Sequence, residues 1–333
     1  MERYNNWMWF TFDQGLPNEP KKKKNSKLKI HFNQNYKPKN ISYHDALFRN
    51  ASLIKDIYNG PFDVLLSGGI DSEVVVRTFN HLGIKQNVYT FRFEDNINVL
   101  DVQNAISTCK DLNIKLNIVD FNLKKFFEND AEQLYKTCYP AVVEKLVRYR
   151  WFDYLDNIPV AGDGEPYWVR DEWNNFKKKS NWSMVMVEHD YAHSIYSKYI
   201  NRTIIGEWYM FTPEIWLSYL EIDYIKNLIN DEIPNKLSSW SFRDQLHRPL
   251  WPSIKTKQKL VGYEGINRYA SLPDYMEKFK TEVMNYKEIE FRYTVDKLHK
   301  LFDSRYNIVL EDKPYFKKLE KLKIKWAKNY ETN

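Results

Sequence analysis

Residues 62–83 contain three consecutive segments: a short apolar stretch, a turn with two adjacent glycines, and a longer segment in which about half of the residues are apolar. The stretch at 62–66 has the length and composition of a buried strand, and the segment at 72–82 is predicted to form a helix that ends at Gly83. The turn between them is Ser67-Gly68-Gly69-Ile70-Asp71-Ser72. A strand that leads through such a turn into a helix is the repeating unit of a parallel sheet, so this run predicts an α/β fold.

The glycine turn has the chemistry of a phosphate-binding site. Backbone N–H groups at a helix N-terminus and the helix dipole favour an anion, and glycine lets a phosphate approach the backbone. The hydroxyl groups of Ser67 and Ser72 can donate further hydrogen bonds. Asp71 has the wrong sign for direct contact with phosphate, which predicts that a divalent cation bridges the two. The alternative is a plain glycine turn in which Ser72 is the helix N-cap.

The alternation of strands and helices extends over the first half of the chain. Predicted strands lie at 62–66, 87–93, 115–121 and 158–161, and predicted helices at 42–58, 72–82, 98–112, 123–136 and 140–155. This pattern predicts a doubly wound parallel sheet, in which ligands bind beyond the carboxyl ends of the strands. We expect a nucleotide-binding domain at 41–166.

The two flanking regions have a different character. Residues 1–40 are predicted to be an extension with one short strand at 28–32. After residue 167 the sequence becomes rich in aromatic residues and is predicted to be mostly helical, with helices from Pro213 to Leu220 and from Pro273 to about residue 290. We expect the region 167–333 to bind the acceptor substrate.

Composition narrows the class of protein. A hydrophobic content of 43% is ample for a packed core, yet no stretch approaches the ~18 apolar residues of a membrane span. The N-terminus has no signal-peptide pattern, and Cys109 and Cys138 are too few for a disulfide framework, so a cytoplasmic protein is predicted. Lysine clusters at 21–29 and 313–328 are compatible with nucleic-acid contact, but solvated lysines are the favoured interpretation.

Two other strand ends are predicted to complete a nucleotide pocket. One carries Phe91 and Arg92, and the other carries Ala161-Gly162-Asp163-Gly164-Glu165. Two glycines that flank a carboxylate suit close approach to a nucleotide together with a metal ligand. The alternative is an acidic turn, since Asp-Gly is a common turn pair.

The run Ser67-Gly68-Gly69-Ile70-Asp71-Ser72 resembles the S-G-G-x-D-S signature of the PP-loop ATP pyrophosphatases. Within that superfamily the chain looks most similar to the synthetase domain of asparagine synthetases, whose second loop reads roughly S-G-E-G-S-D-E. The helix that contains Asp101, Ala105 and Leu112 is similar to the family's helix between its second and third strands, and 210–215 to a later segment that contains proline. The resemblance is strong in the first loop, fair across 60–166 and faint beyond.

The resemblance implies a PP-loop/HUP-like fold that uses ATP and Mg²⁺ and releases AMP and pyrophosphate. It implies ATP or pyrophosphate contacts at Leu66, Ser67, Gly68, Gly69, Ile70, Asp71, Ser72, Phe91, Arg92, Gly162, Asp163 and Gly164. Asp71 and Asp163 would hold the metal, Glu165 would contact the substrate, and Lys257 or Lys259 would contact the phosphates. For the lysines, which follow Lys255, the alternative is a solvated basic loop.

Two departures from the family limit what can be carried over. The second loop ends in Glu165-Pro166 rather than an Asp-Glu pair, which leaves Asp163 and Glu165 for metal or substrate. Position 2 is Glu2, where the family's glutaminase domain has cysteine, so ammonia, an amine or a separate amidotransferase partner is expected as nitrogen donor. His189 and His193, four residues apart, are compatible with zinc, but an ordinary histidine pair is favoured.

Three functions follow from these features, in order of preference. The first is an AMP-forming ligase that adenylates a carboxylate or carbonyl oxygen of a small molecule and then transfers it to ammonia or an amine. The second is a PP-loop enzyme that adenylates a nucleobase in tRNA or DNA before amination or thiolation. The third is a regulatory nucleotide-binding module, against which the intact Asp71 argues.

Overall fold

A computed structural model of the chain describes residues 8–12, 28–32, 36–131, 133–134, 143–165, 168–170, 182–187, 193, 196–197, 200–223, 225, 243–255, 290–294 and 310–311. Its centre is a four-stranded parallel sheet. The strands are β3 (Phe62–Leu65), β4 (Gln86–Phe93), β5 (Leu116–Phe121) and β6 (Ile158–Val160), in the order β5-β4-β3-β6. The order reverses between β3 and β6, which confirms the predicted doubly wound α/β class. Sheets of this class bind ligands in a crevice at the carboxyl ends of the two strands where the order reverses.

Helix α1 (Tyr43–Tyr58) precedes the sheet and matches the predicted helix. The hydroxyl of Ser42, its N-cap, accepts a hydrogen bond from the backbone N–H of Asp45 at 3.2 Å. The helix ends at Asn59 in the left-handed conformation that C-caps favour. These local signals explain why both ends of the helix could be predicted.

Further helices cover the two faces of the sheet. They are α2 (Ile70–His81), α3 (Val99–Asp111), α4 (Leu123–Asn129) and α5 (Val143–Phe152). Successive side chains of a strand point to opposite faces. Accordingly Val64 packs in one buried cluster with α1 and α2, and Leu65 packs in a second cluster with α4 and α5. The sheet is therefore buried on both sides, as parallel sheets usually are.

The first cluster also contains residues from beyond the boundary predicted at residue 166. Trp208, Ile215 and Trp251 are buried with Val64 and Val74. Helix α6 (Pro213–Leu220) begins at Pro213, as predicted, and packs on α1. The predicted division of the chain into an ATP-binding and an acceptor-binding part concerns function, and it stays a prediction.

Glu214 of α6 ties three segments together. Its carboxylate is fully buried and accepts hydrogen bonds from the Tyr36 hydroxyl at 2.9 Å, the Lys39 backbone N–H at 3.2 Å and Arg49 Nε at 3.3 Å. A buried carboxylate needs such partners because its desolvation is otherwise unfavourable. The contacts fix residues 36–39 and α1 to the helix that packs beside the crevice.

The remaining described strands form two antiparallel sheets. The first contains β1 (Met8–Phe12), β2 (Leu28–Phe32) and β10 (Leu310–Glu311), and the second contains β7 (Trp168–Arg170), β8 (Trp182–Val187) and β9 (Glu290–Thr294). Only β2 was predicted. Glu290 was expected to end a helix, but it begins β9, whose aromatic residues alternate with polar ones in the period of a strand. Within the described part of the chain, the helices lack the length and apolar character needed to cross a bilayer.

Candidate active site

The first loop comprises the linker from β3 to α2 and the first turn of α2, residues 66–72. Leu66 is buried and its N–H donates to Tyr89 O at 2.8 Å, which extends the pairing with β4 by one residue. Gly69, which has no side chain, occupies the N-cap position of α2 in extended conformation. The helix therefore begins at Ile70, two residues before the predicted start, and its N-terminus carries the positive end of the helix dipole.

Two serine hydroxyls shape this loop from within. The Ser72 hydroxyl donates to Gly69 O at 3.1 Å and accepts from the Ser67 N–H at 3.1 Å. The Ser67 and Ser72 oxygens are themselves 3.1 Å apart. Ser72 is thus a residue of the first helical turn that holds the loop closed, rather than the N-cap that the plain-turn alternative required.

Gly68 brings the loop into close contact with α3. Its φ is +74°, and a Cβ at this position would lie 2.2 Å from the backbone oxygen of Asp101. Only glycine fits both the backbone conformation and the space. The loop is therefore fixed against the first turn of α3.

The second loop, residues 161–165, follows β6 and lies directly beside the first loop. A Cβ on Gly162 would lie 3.1 Å from Asp71 O and from the backbone N of Ser72. Gly164 has φ +79° and packs against the side chain of Met210. The two glycine-containing loops that the sequence singled out therefore meet at the point where the strand order reverses.

Residues 208–216 hold both loops in register. Tyr209 donates from its hydroxyl to Asp71 O at 3.0 Å and from its backbone N–H to Asp163 O at 3.2 Å. The Trp216 indole N–H donates to Gly164 O at 3.2 Å. Burial raises the pKa of Tyr209 well above its ordinary value, so this hydroxyl stays a donor at neutral pH.

Asp71 forms an ion pair with Arg243, a residue of the short helix α7 (Arg243–His247). Arg243 Nη1 donates to both carboxylate oxygens of Asp71 at 2.9 Å. Arg243 Nη2 also contacts Glu165 Oε1, so one guanidinium links the two loops. Burial lowers the pKa of Arg243, and the neighbouring Asp71 and Tyr43 act against that shift.

Asp163, in the second loop, belongs to a different charged cluster. Arg148 Nη1 of α5 donates to Asp163 Oδ1 at 2.6 Å and also contacts Oδ2. His193 Nδ1 lies 3.5 Å from Asp163 Oδ2 and 3.4 Å from Glu207 Oε1. The side chains of His193 and Glu207 are completely buried, so this cluster is part of the interior.

The strand end that carries Phe91 and Arg92 is placed differently from the two loops. Phe91 is buried and stacks on Trp151 with ring centroids 4.7 Å apart. Arg92 is exposed and forms a bidentate ion pair with Asp120 on β5, at 2.6 and 2.9 Å. A nucleotide contact from these two residues stays a prediction.

Of the two carboxylates predicted to bind Mg²⁺, Asp71 and Asp163, only Asp71 is placed as a ligand for it should be. Asp71 offers a partly exposed carboxylate beside a helix N-terminus, which suits a cation that arrives together with phosphates. An arginine contacts both carboxylate oxygens of Asp71 as well as both of Asp163, but Asp71 is the more exposed of the two, at 32% against 19%. Among the described residues, no three His, Cys, Asp or Glu side chains form a cluster that could hold a metal by themselves.

Some predicted residues are not among the described ones, and some functional candidates were missed. Lys257 and Lys259 lie outside the described residues, as does His189 of the histidine pair, and Lys255 is exposed. Arg148, Tyr209 and Arg243 were not predicted. Tyr209 directly precedes the segment 210–215 that the family resemblance singled out, whereas nothing in the local sequence marks the two arginines.

Comparisons with known proteins give a fold-level likeness only. No family model and no curated protein matches the chain. Among solved structures, NMN synthetase from Francisella tularensis is 21% identical over 37% of this chain and 53% of its own, with a TM-score of 0.26. The NH3-dependent NAD synthetase from Campylobacter jejuni subsp. jejuni NCTC 11168, in complex with the nitrate ion, is 15% identical over 71% of this chain and 99% of its own, with a TM-score of 0.28.

The glutamine-dependent NAD+ synthetase from Acinetobacter baumannii, in complex with ADP, is 10% identical over 78% of this chain and 49% of its own, with a TM-score of 0.27. The chain thus spans about half the length of the first and third of these proteins. Likenesses at such TM-scores establish neither a family nor an activity for this chain, and the function has to be argued from the site.

Proposed function

We propose that this chain is an ATP-dependent, AMP-forming ligase of the PP-loop kind. The observation that supports this most directly is the meeting of the two glycine loops at the point where the strand order reverses. There the backbone of Gly162 approaches Asp71 and Ser72 so closely that a Cβ would lie 3.1 Å from their atoms. Doubly wound sheets bind nucleotides at this position.

The first loop supplies the groups for a departing pyrophosphate. The α2 N-terminus, with the backbone N–H of Ser72, and the hydroxyl of Ser67 would be donors, since the Ser72 hydroxyl already donates to Gly69 O. Gly68 and Gly69 allow the phosphates to approach. An acceptor oxygen attacks the α-phosphorus, the bond to the bridging oxygen breaks, and pyrophosphate leaves. Ammonia or an amine then adds to the activated carbon, loses a proton and displaces AMP. The role of the protein is positioning and charge stabilisation.

Mg²⁺ would be held by Asp71 together with the phosphates, and it would neutralise the charge that develops on the pyrophosphate. Asp163 is the second ligand that the sequence predicts, although Arg148 holds it here. We further propose that Glu165 contacts the acceptor and that Lys257 or Lys259 adds a cation on the phosphate side. Similarity of the ATP-binding part to the synthetase domain of asparagine synthetases, a separate amidotransferase partner and a cytoplasmic location belong to the same proposal.

The test is the identity of the nucleotide products. The protein is incubated with ATP, Mg²⁺, ammonium and fractions of a metabolite extract, and the nucleotides are separated by chromatography. AMP and pyrophosphate are expected in one fraction with the wild-type protein but not with D71N. ADP as the main product would contradict the mechanism.

A parallel incubation replaces the metabolite fractions with tRNA or DNA. AMP formation only in this arm would replace the small-molecule ligase with the nucleobase-modifying enzyme. Absence of AMP in every arm, despite measurable ATP binding, would favour a regulatory nucleotide-binding module.

A further inference from the structure

A single guanidinium joins the two loops of the candidate site. Arg243 Nη1 lies 2.9 Å from each carboxylate oxygen of Asp71, and Nη2 contacts Glu165 Oε1. Asp71 belongs to the first turn of α2, and Glu165 ends the second loop. The cation comes from α7, which is distant in sequence from both loops.

Arg243 is largely buried, so its positive charge has to be balanced by a nearby anion. Its side chain is only 15% exposed, and its helix packs against α2. An arginine keeps its charge at every physiological pH, so a buried guanidinium has to be matched by anions. Guanidinium groups bind carboxylates and phosphates with the same fork geometry. The position therefore suits either the two carboxylates or a polyphosphate.

Asp71 cannot serve two cations in full at the same time. In the present arrangement both of its oxygens accept from Arg243. A carboxylate that is to bind a metal ion beside the phosphates has to release at least part of this bidentate contact. The ion pair and the proposed nucleotide complex are thus alternative states of the same residue.

We propose that Arg243 is an exchangeable counter-ion, which neutralises Asp71 and Glu165 in the nucleotide-free protein and moves to the phosphates when ATP and its metal ion bind. The identity of the incoming anion rests on the proposed function. The exchange couples the two ligands, because the metal gains the Asp71 carboxylate only when the phosphates gain Arg243. It also makes Glu165 available for the acceptor after the nucleotide has bound.

The test measures ligand binding in wild-type protein and in R243Q. Mn²⁺ binding without nucleotide is followed by electron paramagnetic resonance, and binding of α,β-methylene-ATP with Mg²⁺ by calorimetry. We expect R243Q to bind Mn²⁺ about tenfold more tightly and the nucleotide analogue about tenfold more weakly than the wild type, a typical coupling between two sites. R243K should lie between them, since one ammonium nitrogen cannot contact Asp71 and Glu165 from two separate positions as Nη1 and Nη2 do.

The matched control is R248Q. Arg248 lies five residues further along, is 52% exposed and pairs with Asp244 at 2.6 Å. This variant should bind both ligands as the wild type does. Circular dichroism shows whether R243Q is folded, and if it is not, R243K carries the comparison because it retains the positive charge.

The outcomes separate this proposal from the proposed function. Wild-type protein that does not bind the analogue would contradict the proposed function, while the Mn²⁺ measurement would still decide whether Arg243 competes for Asp71. Wild-type protein that binds the analogue, with R243Q unchanged in both measurements, would show that Arg243 is a structural brace and would overturn the exchange. If R243Q bound Mn²⁺ and the nucleotide analogue equally more weakly than the wild type, the exchange would be overturned as well.

Discussion

The two loops of the candidate site are built alike but are supported differently. Each follows a strand of the parallel sheet, each contains a glycine at positive φ, and each carries an aspartate that is paired with an arginine. The arginine of the second loop, Arg148, comes from α5, the helix that directly precedes β6. The arginine of the first loop, Arg243, comes from a helix far along the chain.

The two aspartates also differ in how deeply they are buried. Asp163 is 19% exposed and lies against His193 and Glu207, whose side chains are completely buried. Asp71 is 32% exposed and stands beside the N-terminus of α2. The comparison indicates that the Asp163 carboxylate stabilises its own loop, whereas the Asp71 carboxylate can exchange Arg243 for another cation. Chemistry is therefore expected at Asp71 and support at Asp163.

The largest effect is expected for D71N. Turnover should fall by about 10²–10³-fold, the effect of losing one preorganised charge contact in a transition state. The free energy of unfolding should change by about 1 kcal/mol or less, because the carboxylate is partly exposed and Glu165 still balances the charge of Arg243. Product chromatography and urea unfolding measure the two quantities, and D130N, at a carboxylate paired with Arg150 outside the site, is the control. Near-normal turnover would show that the metal is held elsewhere.

Alanine substitutions at Gly68, in the first loop, and at Gly83, after α2, distinguish the cost of backbone strain from the cost of a steric clash. G68A should destabilise the protein by about 2–4 kcal/mol, since it adds a clash with Asp101 O to an unfavourable φ. G83A has a φ of +61°, and a Cβ there would meet none of the described atoms within 4 Å, so strain alone should cost about 1 kcal/mol. Urea unfolding compares them. Equal losses would mean that the first loop is not fixed against α3.

D163N tests the supporting role of the second loop. It removes the charge that balances Arg148 in a mostly buried pair, and the free energy of unfolding should fall by about 1–2 kcal/mol. ATP-analogue binding should weaken less than in D71N. A protein of normal stability that has lost its activity would reverse the comparison and make Asp163 the metal ligand that the sequence predicts.

A pH-dependent effect on stability is expected at His247 of α7, and it is small near neutral pH. Burial lowers the pKa of His247 to about 3, with the charges of His44 and Arg243 adding to the shift. Between pH 6.5 and 3 the unfolded chain binds a proton that the folded chain does not, so stability is full above pH 6.5 and is lost as the pH falls. The slope is at most about 1.4 kcal/mol per pH unit. H247F should flatten it, as measured by urea unfolding at pH 7, 6 and 5, and an unchanged slope would contradict this assignment.

Local signals were enough to predict the frame of the site from the sequence. Ser42 and Asn59 mark the ends of α1, and the glycine turn marks the junction of β3 and α2. The start of α2 was displaced because a serine is a good cap in isolation, whereas here Ser72 bonds back to Gly69 O. Patterns of this kind depend only on residues that are close together in sequence, so they can be recognised without the fold.

The ion pairs of the site could not be predicted in the same way. Asp71 meets Arg243, and Asp163 meets Arg148, only after the sheet and its helices have folded. An arginine on a helix surface has the same local signature whether it faces solvent or a loop. Strand β9 was missed for a related reason, because a short alternating segment gains its stability from β8, to which it pairs.

The position of β6 in the sheet has a consequence for folding. Ile158 lies opposite Phe62, so the last strand of the parallel sheet pairs with the first. Two helix–strand units and the helices α4 and α5 lie between them in sequence. Bringing such distant segments together carries a large loop-closure entropy and slows folding. During synthesis, β3, β4 and β5 emerge first and can associate, but the crevice has only one wall until β6 arrives. A nascent chain that ends before residue 158 would therefore contain the complete glycine turn without a binding site.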